Sequence, residues 1–453
     1  MMKIHKFEQC GLKIVIDVNS GAIHVVDNVV YDILDHYVDN STVKDFESLL
    51  PNYTAEQIEE GLSEVKYLIN ENMLFTEDPY KDIILNDEGP SFIKAMCLNI
   101  AHDCNLKCKY CFAEEGEYHG ARSMMTPEIG KKAIDFVIKS SGPRKNIEVD
   151  LFGGEPLMNF NTVKEIVDYA RIEEKKYNKN IRFTMTTNAT LLNDEIMEYI
   201  DKNMGNIVLS IDGRPEVNDN IRVRYDGSGT YDAIMPKIKK MVEKRDKSKQ
   251  YYVRGTFTRE NLDFFEDVML MANEGFKEVS NEPVVLEPSH PLALRLEDLP
   301  VIFEQYDKLA DEMIKREKEG RGFKFYHFAM DINGGPCVYK RISGCGAGYE
   351  YVAVTPDGDI YPCHQFVGKE EFKLGTLDEG NIDASLETLF KNGHIYNKPK
   401  CEKCWAKFYC SGGCQANNYN FNNDIHIPYE LGCEMMKKRV ECAIAIRAKL
   451  LED

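Results

Sequence analysis

Residues 102–112 read "HDCNLKCKYCF". They set Cys104, Cys108 and Cys111 in a Cys-x3-Cys-x2-Cys array and offer no fourth cysteine nearby. Directly before the array runs "AMCLNI" (95–100), a short apolar stretch of strand character. Runs of the same kind recur at 147–152, 181–187, 206–211, 252–258 and 279–286. An amphipathic helical stretch follows each one, near 127–140, 161–177, 193–202, 231–245, 261–274 and 297–319. Six consecutive β–α units imply an α/β fold of parallel strands with right-handed crossovers, either a partial barrel or an open doubly wound sheet. In both, function gathers in the loops at the C-terminal ends of the strands. The cysteine array occupies the first of those loops.

The chain has 453 residues, enough for about three domains. With 56 Lys and Arg against 75 Asp and Glu, its formal charge is −19. That balance disfavours a nucleic-acid partner, whose binding rests on neutralising phosphates. The N-terminal residues lack the pattern of a signal peptide, and no apolar run reaches transmembrane length, so the expectation is a cytoplasmic protein with no membrane partner. In a reducing compartment the 14 cysteines are not read as disulfides. Ten fall into two groups: the array, and Cys345, Cys363, Cys401, Cys404, Cys410, Cys414 and Cys433. Clustered soft thiolates point to metal or iron–sulfur ligation. Of the remainder, Cys10, Cys97 and Cys442 are expected as buried small hydrophobes.

Residues 1–90 form a separate unit. "LKIVIDVNSGAIHVV" alternates Leu12, Ile14, Ile16 and Val18 on one face and then turns, as a hairpin does. Helical spacing follows in "VVYDILDHYV", near 43–50, and from Thr54, where Gln57 completes a capping box. A hairpin and three helices suggest a winged-helix-like module. Its six Lys and eighteen Asp/Glu, with no Arg, would repel DNA. From residue 326 to the end the pattern is Gly-, Cys- and aromatic-rich until a final helix near 430–450, as in a segment that depends on bound metal for its fold.

A [4Fe–4S] cube ligated by three cysteines keeps one iron open for a small molecule. The competing reading is a zinc site completed by His102. "CNLKCKYC" resembles the signature of the radical S-adenosylmethionine (SAM) superfamily, with Tyr110 as its aromatic before the last cysteine and Phe112 just after it. By that resemblance residues 91–325 are a partial (β/α)6 barrel, and Cys104, Cys108 and Cys111 hold the catalytic cluster. "GGEP" (153–156) looks like the motif that binds the SAM ammonium through Gly153, Gly154 and the Glu155 carboxylate. Asn188, Ser210 and Asp212 fall where the family lines the SAM pocket, and Arg222 where an arginine pairs with the SAM carboxylate.

The downstream cysteines resemble a SPASM domain (326–453), a module with two auxiliary [4Fe–4S] clusters. The resemblance assigns Cys401, Cys404, Cys410 and Cys433 to a distal cluster and Cys345, Cys363 and Cys414 to one nearer the active site. Seven cysteines are one short of two closed cubes. Cys337 could supply the eighth; otherwise the nearer cluster has an open iron that can accept a substrate thiolate. A zinc ribbon built on Cys401 and Cys404 is the alternative.

The whole layout resembles peptide maturases with an N-terminal recognition element that captures a leader peptide as an added strand. The nearest family is the maturase of SCIFF peptides, which forms thioethers. The resemblance implies three [4Fe–4S] clusters, SAM, a low-potential electron donor and a Cys-rich precursor peptide with a leader. It also implies a 5′-deoxyadenosyl radical that takes a hydrogen from a substrate residue, Thr in this family, before a cysteine joins that carbon. Other readings are epimerisation, carbon–carbon coupling or formylglycine formation on another peptide or protein, and a non-catalytic peptide-binding protein with structural metal centres.

Overall fold

The computed structural model describes residues 3–82, 89–118, 120–330, 332 and 338–451. The N-terminal unit begins with three antiparallel strands, β1 (Ile4–Gln9), β2 (Leu12–Asp17) and β3 (Ile23–Val25), in the order β1-β2-β3. The sequence pattern signals only the β2–β3 hairpin; β1 is additional. The β1–β2 turn is the two-residue Cys10–Gly11, at φ 52° and 73°, the doubly positive backbone whose twist suits a tight hairpin. Cys10 is therefore a half-buried turn residue, not a core one. Three helices follow: α1 (Asn28–His36), α2 (Val43–Glu47) and α3 (Ala55–Asn70). At the start of α3, Gln57 N–H donates to Thr54 Oγ1 (3.2 Å) and Thr54 N–H to Gln57 Oε1 (2.9 Å).

Strand β2 is buried on both faces. Val15 packs with α1 and α3 through Val30, Ile33 and Leu62. Ile14 and Ile16, on the alternating apolar face, pack with Trp405 and the final helix. That docking is polar as well: His5 stacks on Trp405 with ring centroids 3.8 Å apart, and the buried Lys407 donates to Asp78 at 2.7 Å.

Six parallel strands make the central sheet: β4 (Ala95–His102), β5 (Asn146–Gly153), β6 (Asn180–Thr187), β7 (Asn206–Ser210), β8 (Gln250–Phe257) and β9 (Glu278–Pro283). Their spatial order is the sequence order, so each crossover advances one strand the same way. This singly wound order is that of a partial barrel; a doubly wound sheet would reverse direction at a switch point. The connecting helices are α4 (Pro127–Ser140), α5 (Phe160–Lys176), α6 (Asp194–Asn203), α7 (Tyr231–Lys244) and α8 (Phe264–Asn273), and α9 (Leu299–Lys318) follows β9. Alternate strand residues such as Val149, Leu151, Phe183 and Met185 are wholly buried.

The C-terminal segment continues this sheet. β10 (Tyr351–Val354) pairs in parallel with β4, Val352 opposite Met96, and β11 (Asp359–Tyr361) and β12 (Gly375–Thr376) add in antiparallel fashion. The last helix, α10 (Glu430–Leu451), lies along α9 and buries Cys442; Cys97 is buried in β4. Among the described residues, no helix is long and apolar enough to cross a membrane.

Candidate active site and cluster sites

The cysteine loop leaves β4 at His102 and is stitched to a segment far along the chain. Lys107–Cys108 pairs antiparallel with Arg222–Val223, which sets Arg222 opposite Cys108. Lys109 N–H donates to the Ile221 carbonyl (3.1 Å), and the Tyr225 hydroxyl to the Cys104 carbonyl (3.1 Å). The Cys104 sulfur accepts from Leu106 N–H at 3.4 Å.

The turn after β5 presses against this loop, and its two glycines are required for that. A Cβ on Gly153, at φ 129°, would fall 2.3 Å from the Ala101 carbonyl oxygen; one on Gly154 would fall 2.1 Å from the Asp103 oxygen. The glycines thus let two loops touch, backbone to backbone.

Cys104, Cys108 and Cys111 line one cavity of about 320 Å³ at the C-terminal ends of the strands. Gly153, Gly154, Asn188, Ser210 and Arg222 line it too, as do Tyr110 and Phe112. Glu155 and Asp212 are not on its wall. Both are buried beneath it as ties. Glu155 accepts from Leu157 N–H (3.0 Å), the Thr187 hydroxyl (2.8 Å) and Asn188 N–H (2.7 Å). Asp212 accepts from the Tyr110 hydroxyl (2.7 and 2.9 Å) and from Thr256 N–H (3.0 Å). Burial pushes the Glu155 carboxyl up to about 7 and that of Asp212 up to about 6. It also pushes the Cys104 thiol up to about 12 and that of Cys108 up to about 11.

Cys401, Cys404, Cys410 and Cys433 line a separate cavity of about 300 Å³. Cys345, Cys363 and Cys414 form a third group, near enough that Cys414 and Cys345 both raise the buried Cys363 thiol. Cys337 lies outside the described residues. Among the described residues, no three His, Cys, Asp or Glu side chains converge on a point that could hold a single metal ion.

The sequence of residues 98–269 matches the radical SAM superfamily model, and residues 345–405 match the iron–sulfur cluster-binding domain named SPASM. The chain belongs to the radical SAM superfamily. The radical SAM cyclopropyl synthase TigE of Paramaledivibacter caminithermalis is 24% identical over 420 residues, 87% of this chain and 84% of its own. An uncharacterized protein of Methanocaldococcus jannaschii is 30% identical over 322 residues, 70% of this chain and 96% of its own. The crystal structure of Streptococcus suis SuiB bound to precursor peptide SuiA shares the fold, with a TM-score of 0.54 at 18% identity, covering 94% of this chain and 97% of that one.

A radical SAM domain binds SAM and a [4Fe–4S] cluster, and a SPASM domain binds auxiliary clusters. The cavity fits the first pair in its donors. Three thiols line it, and buried Arg222 keeps its Nε without a partner after Nη1 donates to Tyr110. A guanidinium so placed suits a carboxylate.

Sequence reasoning missed Arg254, Glu282, His364 and Gln365, which line the same cavity. Arg254 and Glu282 sit toward the ends of β8 and β9, positions that barrel logic marks. His364 and Gln365 reach the cavity only because β10 and β11 attach the SPASM segment to β4, and nothing in their spacing foretells it.

Proposed function

We propose that this protein matures a Cys-rich, ribosomally made precursor peptide by joining a cysteine thiol to a carbon of another residue, threonine by the family resemblance, in a thioether. The observation that carries this reading is a further cavity of about 330 Å³ that shares Arg254, Glu282, Pro283, Val285 and Gln365 with the first and reaches Cys414, along with Cys410 and Cys433. A peptide crossing that wall would present one residue to the SAM side and a thiol to the nearer auxiliary group. That group is Cys345, Cys363 and Cys414, and in this reading a substrate thiolate, rather than Cys337, would complete it.

Bound at Cys104, Cys108 and Cys111, the cluster and SAM would supply a 5′-deoxyadenosyl radical as hydrogen acceptor. The chain's residues bind and orient. Arg222 would take the SAM carboxylate, and Gly153, Gly154, Asn188 and Ser210 would line its seat. Phe112, Phe152 and Val284 give the cavity wall apolar surface. Glu282, held by His327 at 2.9 Å and Ser280 at 2.8 Å, and Arg254 would fix the peptide between the two cavities. The N-terminal unit would capture the leader, as an added strand on β3. SuiB, whose structure contains a precursor peptide, supports a peptide substrate for this architecture.

One C–H and one S–H bond would give way to one C–S bond, with the carbon's hydrogen atom going to the 5′-deoxyadenosyl radical, the thiol proton to solvent and the remaining electron to an auxiliary cluster, so the product is two hydrogens lighter. The test is high-resolution mass spectrometry of a Cys-rich peptide incubated anaerobically with reconstituted enzyme, SAM and a strong reductant. Loss of two hydrogens together with one alkylation-resistant cysteine supports the thioether. The same mass loss with every cysteine still alkylated would instead indicate closure between carbons, the chemistry for which TigE is named.

A further inference from the structure

Two lysines of the C-terminal segment are buried almost completely, and among the described residues only one has a carboxylate counter-ion. Lys407 is 2% exposed and donates to the Asp78 carboxylate at 2.7 Å. Lys398 is 0% exposed, and its Nζ donates to the Gly412 carbonyl at 2.9 Å. Among the described residues it makes no ion pair with a carboxylate. Asp424 feels its charge only from beyond ion-pair distance and is bonded to His426. An isolated buried ammonium is costly and is rarely kept without an anion.

Burial lowers the pKa of the Lys398 ammonium, and cysteines of both auxiliary groups, Cys401 and Cys410 of one, Cys414 and Cys345 of the other, oppose that shift; its acceptor Gly412 lies in the chain between Cys410 of the first group and Cys414 of the second. The lysine also begins the short helix Pro399–Glu402 that carries Cys401. A Cβ at Gly412, φ 85°, would stand 3.1 Å from Nζ, so this glycine leaves the ammonium its space.

We propose that Lys398 is a counter-ion shared by the two auxiliary clusters, an ammonium set between them whose charge favours the reduced state of both. Charge and hydrogen bonding near a cluster are principal determinants of its potential. Lys398 is a positioning residue in this sense: it touches neither SAM nor substrate and acts through the clusters. The inference rests on the assignment of the seven cysteines to two clusters.

The experiment is an EPR-monitored potentiometric titration of the reconstituted full chain as wild type, Lys398→Met and Lys398→Arg, with iron counted in each. The SAM-binding cluster serves as internal reference. Lys398→Met should move both auxiliary couples to more negative potential by about tenfold in the one-electron equilibrium, about 59 mV. Lys398→Arg should leave them near wild type. Auxiliary potentials that stay put in a fully loaded Lys398→Met, or a shift in one couple alone, overturn the shared role. If Lys398→Met retains no auxiliary iron while Lys398→Arg does, the requirement for charge stands. If Lys398→Arg loses that iron as completely, the site needs lysine's shape and the proposal falls. A wild-type chain holding iron for one cube only would overturn the cluster assignment beneath it.

Discussion

Arg222 donates from Nη1 to the Tyr110 hydroxyl at 2.8 Å, and that hydroxyl donates onward to both oxygens of Asp212. Tyr110 immediately precedes Cys111, so the relay joins the orientation of a guanidinium to the loop that carries the three thiols. Asp212 acts through Tyr110, from below the cavity.

Tyr110→Phe removes the relay and keeps the ring. A hydrogen bond to a charged partner contributes about 1.5–3 kcal/mol. SAM affinity should therefore fall by at least about tenfold, measured by equilibrium dialysis, while the iron content stays that of wild type. Unchanged affinity would mean that packing alone aims Arg222.

Gly154→Ala tests the contact between the two loops. The added methyl would lie 2.1 Å from the Asp103 oxygen and 3.1 Å from Cys104 Cβ, so the cysteine loop must move. The expected outcome is loss of about four of twelve irons, one cube, and of SAM cleavage, with the auxiliary EPR signals kept. Full iron with normal deoxyadenosine release would show that the loop can yield.

The β–α repeats were legible because each strand is a short apolar run and each helix carries a 3.6-residue stripe; the six strands fall within about three residues of expectation. Three features were not. β1 carries one buried apolar side chain, Phe7, among polar neighbours, so its alternation is faint. β10 has only four residues, and its place beside β4 depends on pairing across some 250 residues of sequence. Glu155 and Asp212 were legible as important but not as buried ties, because a motif fixes residue type and leaves the direction of the side chain open. The apolar face of β2 was legible too, but not its partner: Trp405 and α10 cover it.

Asp150, in β5, gives a pH prediction away from the cluster ligands. Burial, with Glu148 adding to it, pushes its carboxyl from 3.8 up to about 6. A raised folded-state pKa contributes stability that is present below pH 3.8 and lost as pH climbs through 6. Asp150→Asn is neutral throughout. Its melting temperature should exceed that of wild type at pH 8, by at most about 3 kcal/mol of stability, and the advantage should vanish by pH 4. An equal shift at both pH values would mean that the Asp150 pKa does not change on folding.

The leader-capture reading needs a gentler test than removal of the N-terminal unit. Phe7, Ile14 and Ile16 pack against Trp405, Val440 and Ile444, so deletion would strip an apolar face from the C-terminal segment and confound binding with stability. β3 is one of the two outer strands of its sheet, β1 being the other. Val26 N–H points inward to the Lys13 carbonyl, so by the alternation of an antiparallel ladder Val25 N–H points outward, and its side chain is 48% exposed. Val25→Pro removes that outward donor and spares the inward bonds. Fluorescence anisotropy with a labelled leader peptide should show affinity reduced by at least about tenfold, roughly 1.4 kcal/mol. Uncoupled SAM cleavage, which needs only the barrel, should stay at the wild-type rate. Undiminished leader affinity would remove β3 as the docking edge.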